Sequence, residues 1–165
     1  ATPLGLLKFA HEGTDTWPLL MGNTAGSLGE TCAIAIIVSG IFLAVRRTFD
    51  WRIPVSILTT VAVFSGLVGM VSEASPSPLF MLASGGLLFG SVYMATDPVT
   101  SPLAPRGAVV FGVGIGLLVV TIRLWGGLPE GVMYAILLMN AATPLIERVT
   151  QPRAFGRTNR GKASP

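Results

Sequence analysis

At 165 residues the chain is long enough for one domain, yet 51% of it is hydrophobic and only 12% charged, where an ordinary water-soluble domain carries about a quarter charged residues. A mean hydropathy of +0.69 makes lipid the expected solvent. The formal charge of +3 does not point to nucleic acid, because the basic residues fall between apolar blocks and in the tail; the single Cys32 and single His11 exclude an internal disulfide framework and argue against a metal enzyme.

The opening segment, ATPLGLLKFAHEG, has neither the charged start nor the continuous apolar core of a signal peptide, and reads as a cut edge. Within it Thr2, taken alone, is an extended residue before proline. Residues 22–31, GNTAGSLGET, are glycine-rich and lead straight into an apolar block. Backbone N–H groups around Gly22, Asn23, Thr24, Gly26 and Gly29 can approach a phosphate or a planar ring there, at the positive end of a helix. A Gly/Ser turn with Glu30 in the first helical turn accounts for the same residues.

Five blocks follow as candidate membrane helices: Thr31 to Val45, Ile53 to Val71, Ala74 to Thr96, Gly107 to Ile122 and Gly131 to Ile146, none containing a charge. Crossing a bilayer takes about 20 mostly apolar helical residues. The second and third blocks meet that length. The other three reach it by borrowing neighbours such as Leu28 or Trp125, or are broken helices packed against protein. Small residues four apart, Gly86 with Gly90 and Gly112 with Gly116, suit close helix packing; the run Gly112, Gly114, Gly116 follows no strand and is no dinucleotide fingerprint.

Nine of the eleven basic residues lie on one side of this alternation: Arg46, Arg47 and Arg52, then Arg106, then Arg148, Arg153, Arg157, Arg160 and Lys162. Lys8 and Arg123 are the exceptions. The positive-inside rule then places residues 1–30 outside and the tail in the cytoplasm. The expected division is an outer or re-entrant segment over 1–30, a five-helix membrane domain over 31–149 and a basic tail over 150–165.

Acids at the edges of spans are candidates for ion handling, because a charge near the hydrocarbon is expensive. Glu30 opens the first helix, Asp97 closes the third, Glu130 begins the fifth and Glu147 ends it. Interfacial roles explain Glu130 through the helix dipole and Glu147 through pairing with Arg148 or its neighbours. Asp97 differs, since Pro98 and Pro102 follow it: the helix must break there, leaving carbonyls beside a carboxylate in an arrangement able to coordinate a cation.

The segments GSLGET (26–31), DWRIPVS (50–56), MATDPVTSP (94–102), PRGAVVFGVGIG (105–116) and IRLWGGLPEGVMYAILLMNAATPLIERVTQPRAFG (122–156) carry a nearly end-to-end resemblance. The chain resembles the D subunits of Rnf electron-transport complexes and, less closely, the B subunits of sodium-pumping NADH:quinone oxidoreductases. The resemblance implies an all-α polytopic membrane protein of about five transmembrane helices, the second half of a two-repeat, urea-transporter-like fold in a bacterial or archaeal cytoplasmic membrane. It also implies FMN esterified through its phosphate to a threonine in a Ser-x-Ala-Thr motif, of which Ala1 and Thr2 keep the last two positions. Thr2 is then the attachment residue, and the backbone around Gly22 to Gly29, with Asn23 and Thr24, is the candidate cradle for the phosphate. Riboflavin elsewhere in the complete protein is compatible with the same family.

The implied function is electron transfer between flavins, coupled to Na⁺ or H⁺ movement, with an FMN-bearing G subunit and the other membrane subunits as partners. Glu30, Asp97 and Glu130 are the ion-path candidates, Thr2 is an anchor rather than a catalyst, and no catalytic residue or metal ligand is expected. The alternative is a cation channel or transporter module with no flavin of its own.

Overall fold

The computed structural model describes residues 32–71, 77–128 and 130–150. All regular structure among them is helical, in the order α1 (Ala33–Val45), α2 (Arg52–Val71), α3 (Pro78–Ala83), α4 (Leu87–Phe89), a π-helical turn (Gly90–Met94), α5 (Pro105–Trp125) and α6 (Val132–Thr150). Three of these, α2, α5 and α6, are long and apolar enough to cross a membrane. The fourth expected span does reach as far as Trp125.

Local chemistry sets the ends. Helix α1 closes in a Schellman arrangement, with Arg47 N–H on Ala44 O at 3.0 Å and Thr48 N–H on Leu43 O at 3.1 Å. Arg47 takes the left-handed position (φ 54) that glycine usually fills. Asp50 starts α2, its Oδ1 accepting from Arg52 N–H at 3.0 Å, which also suits the positive end of the helix. Ser77 caps α3 by accepting from Phe80 N–H, with Pro78 just inside the helix, where its missing N–H does no harm.

The core is built around α5. Ala108, Phe111, Ile115 and Val119 form one buried stripe at helical spacing, facing Ile53, Ile57 and Val61 of α2 and, across the other side, Val132, Ala135 and Ile136 of α6. Gly112 and Gly116 allow the close approach to α2 that their spacing suggested. A Cβ on Gly112 would collide with Ser56 Oγ and stand 2.9 Å from Ile53 O, and one on Gly116 would stand 2.7 Å from Thr60 Cβ. These contacts make α2 and α5 run parallel. Gly114 against Met139 and Ile122 against Gly131 make α6 antiparallel to them.

The outer surface is apolar: Ile34, Ile37, Val38, Ile41 and Phe42 on α1, and Met133, Tyr134, Leu137, Leu138 and Leu145 on α6, are all exposed. Hydroxyls inside the helices turn back onto their own backbone, as Thr59 does to Val55 O and Thr121 to Leu117 O, so that these donors do not face hydrocarbon unpaired. An apolar exterior over helix hydroxyls paired with their own backbone is the pattern of a protein solvated by lipid.

The third expected span departs most from its expectation. It is not one continuous helix: α3 stops at Ala83, Gly85 takes φ 66, and the chain restarts at Leu87. Gly86 thus stands at a break rather than in a helix-packing pair, while Gly90 does face α6, where a Cβ would collide with Val132. After the break, Leu87, Leu88, Ser91, Val92, Ala95 and Thr96 are buried, and Ala95 N–H reaches back five residues to Gly90 O at 2.8 Å. This interior segment runs from the end of the molecule where α5 finishes to the end where it begins. At that second end lie Arg46, Arg47, Arg52, Arg106 and Arg148, the described part of the expected basic side.

Candidate functional site

Thr2, Gly22, Asn23, Thr24, Gly26, Gly29 and Glu30 lie outside the described residues. Of the ion-path candidates, Asp97 and Glu130 are described, and the structure does not bring them together. Asp97 lies at the end where α5 starts, Glu130 beyond the end where it stops, and a helix of 21 residues separates them by about 30 Å.

Asp97 is half-buried and engaged by its own turn. Its Oδ1 accepts from Val99 N–H at 3.4 Å, its Oδ2 from the Thr100 hydroxyl at 3.2 Å, and its carbonyl from Ser101 N–H. The prolines do break the helix there. The carboxylate's first use is to shape residues 98–101.

That turn forms one wall of a pocket of about 390 Å³, whose other wall is α6 with Asn140, Thr143, Pro144 and Glu147. Pro144 sits inside the helix; it has no N–H to give, which takes the helical donor away from the carbonyl of Asn140, four residues earlier. The side-chain Oδ1 of Asn140 is buried with no hydrogen-bond partner among the described residues. Glu147 does not pair with Arg148, which is exposed; its Oε1 accepts from Leu103 N–H at 3.2 Å, closing the pocket between turn and helix. Thr100 and Ser101 add hydroxyls. No lysine or arginine lines the space among the described residues.

The chemistry of this set is oxygen donors around one carboxylate beside a broken helical hydrogen-bond ladder, which suits a hard cation. Among the described residues no group of histidine, cysteine and acid side chains could hold a transition metal. Asn140, Pro144 and Glu147 carried a readable signal, since spacings of four and seven put them on one helix face. What the chain order did not show is the 98–103 turn facing them.

A second polar centre lies at the opposite end. Arg123 of α5 is 5% exposed. Its Nη1 donates to Met81 O at 2.5 Å and its Nη2 to Ser84 O at 3.0 Å, carbonyls that the break after α3 takes out of the helical ladder. Glu130 lies two residues before α6 begins, at this same end of the molecule. Arg123 counted as an exception among the loop charges because its burial was not visible.

Apolar helices with an apolar exterior, one of them broken, and polar groups gathered at the breaks define a multi-pass membrane protein. Residues 1–156 match the NQR2, RnfD, RnfE family, and the chain belongs to it. It is 47% identical over 146 residues to the D subunit of the ion-translocating oxidoreductase complex of Stutzerimonas stutzeri, covering 88% of this chain and 41% of that relative. It is 43% identical to the D subunit of the Na(+)-translocating ferredoxin:NAD(+) oxidoreductase complex of Acetobacterium woodii, covering 96% of this chain and 49% of the relative. With the D subunit of the proton-translocating ferredoxin:NAD(+) oxidoreductase complex of Clostridium ljungdahlii it shares 41% identity, covering 94% and 50%. The chain therefore spans half or less of the length of these curated relatives.

Proposed function

We propose that this chain belongs to a membrane subunit of a redox-driven ion pump, and that the pocket between the 98–103 turn and the Pro144 region of α6 binds the cation that moves. One observation carries the reading: Glu147, the one carboxylate among the residues lining the pocket, shares it with the buried, unpartnered Asn140 Oδ1 beside Pro144, which interrupts the hydrogen-bond ladder of α6. A charge in that setting is costly unless it has a purpose. Relatives named for Na⁺ and for H⁺ translocation are equally compatible with a carboxylate and oxygen donors.

Covalent FMN on Thr2 belongs to the same proposal and rests on the family resemblance, as do the phosphate cradle at Gly22 to Gly29 and the FMN-bearing G subunit as partner. A flavin supplies one- and two-electron chemistry, which the protein tunes by position and hydrogen bonding. The two-repeat fold, the five spans and an inner-membrane orientation with residues 1–30 outside complete the reading.

The test uses the assembled complex in membrane vesicles. Glu147→Gln is expected to abolish or weaken cation uptake coupled to electron transfer while leaving flavin content intact. Flavin fluorescence that survives denaturation and disappears in Thr2→Ala would establish the ester. Normal coupled uptake in Glu147→Gln would defeat the pocket's assignment.

A further inference from the structure

We propose that Arg123 is a positioning residue for the pocket at the far end of the molecule: by pinning the Met81 and Ser84 carbonyls it fixes the register of residues 87–97, and with it the placement of the 98–103 turn against Glu147. That the turn then holds a cation rests on the reading above; the positioning does not.

Arg123 cannot act on the pocket directly. From Pro105, beside the pocket, to Arg123 is about eighteen residues of continuous helix, about 27 Å. Yet a buried guanidinium in an apolar helix is among the most expensive choices available in lipid, and such residues carry function. Its planar fork is suited to two acceptors at once. Here the acceptors are the carbonyl of Met81 in the last turn of α3 and that of its C-cap Ser84, the last residue before the left-handed Gly85, 42 and 39 residues away in the chain.

What starts at the break ends at the pocket. The intervening segment is buried along most of its length and hydrogen-bonded from Gly90 N–H to Gly86 O and from Ala95 N–H to Gly90 O. Close packing makes such a segment transmit displacement instead of absorbing it. It also contains the π turn Gly90–Met94, which holds one residue more than an α turn and is a place where register can change. Tightening it to an α turn would shift everything beyond by one residue, about 1.5 Å along the axis and about 100° around it. Thr100 and Ser101 would then leave Glu147.

The experiment uses the assembled complex in native membranes, with Cys32→Ser and Ser101→Cys as a reporter for maleimide alkylation, and reads cation dependence and kcat on the complex without these two reporter substitutions. Arg123→Lys keeps the charge but not the fork. It should change the alkylation rate at Ser101→Cys by at least about threefold, and raise half-saturating Na⁺ or H⁺ roughly tenfold, with kcat at saturation within about twofold. Val119→Ala, which loosens the same helix without touching the break, should move neither. Unchanged alkylation in Arg123→Lys, or an equal change in Val119→Ala, overturns the proposal. Should Arg123→Lys fail to accumulate, Gly85→Ala strains the break with Arg123 intact, and must reproduce the altered alkylation or the proposal falls. Altered alkylation combined with normal cation dependence in Glu147→Gln would retire the cation reading and leave the positioning standing.

Discussion

Glu147 accepts a hydrogen bond from the backbone N–H of Leu103 across 3.2 Å, joining α6 to the turn that precedes α5. A carboxylate that accepts one bond from a neutral donor keeps most of its acceptor capacity. Glutamine at this position can make the same bond to Leu103 with its amide oxygen, so Glu147→Gln removes charge while keeping geometry. The expected result is a roughly tenfold rise in half-saturating cation with unchanged thermal stability, read from cation titrations of turnover and from melting of the purified complex.

Pro144 is the second test of the pocket. Replacing it with alanine returns an N–H to the Asn140 carbonyl and removes a residue that costs about 3 kcal/mol in a helix interior. If the proline were only a packing accident, Pro144→Ala would be stabilising and otherwise silent. With an oxygen site at the unpaired Asn140 carbonyl, the variant should melt no lower than the parent and bind cation several-fold more weakly, because the restored bond competes for the same carbonyl. Melting and cation titration on one preparation separate the two outcomes.

The seam between α2 and α5 yields a paired prediction on assembly. Gly112→Ala places a methyl group into Ser56 Oγ and 2.9 Å from Ile53 O, and a backbone atom cannot swing aside. Overpacking of this kind costs about 1–3 kcal/mol. Gly69→Ala, on the same α2 helix with nothing within 4 Å, should instead stabilise by about 0.5–1 kcal/mol through helix propensity. Unfolding of the solubilised complex followed by tryptophan fluorescence should rank them Gly69→Ala above parent above Gly112→Ala.

Helix α2 was legible because a long uninterrupted apolar run leaves few alternatives in lipid; α5 and α6 were legible only as shorter runs that had to borrow neighbours, as α5 does with Trp125, and the Gly112 and Gly116 contacts followed from their spacing. The break at Ser84, Gly85 and Gly86 was not, since small residues in an apolar run fit close helix packing equally well. What decides it includes Arg123, a partner some forty residues away that no local pattern connects to it. The pocket was half legible. Asp97 was singled out for the prolines after it, while the same logic at Pro144, with Asn140 four residues before and Glu147 three after, was hidden by a plausible pairing of Glu147 with Arg148.

Asp97 separates shaping a turn from handling an ion. Both of its oxygens already accept bonds from Val99 and Thr100, and an asparagine oxygen can keep one of them. Asp97→Asn should therefore retain the 98–101 turn, and Asp97→Ala should lose it, since an Asx-type cap contributes about 1 kcal/mol where it organises a turn or helix start. If Asp97 acts mainly by shaping the pocket wall, cation dependence should follow the order Asp97→Ala worst, then Asp97→Asn, then parent, with Asp97→Asn milder than Glu147→Gln. If its charge lies on the ion path, Asp97→Asn and Asp97→Ala should be equally damaging. Cation titrations of the two variants side by side, normalised to the amount of assembled complex, decide between them: turn geometry follows the side chain's oxygen, whereas an ion follows its charge.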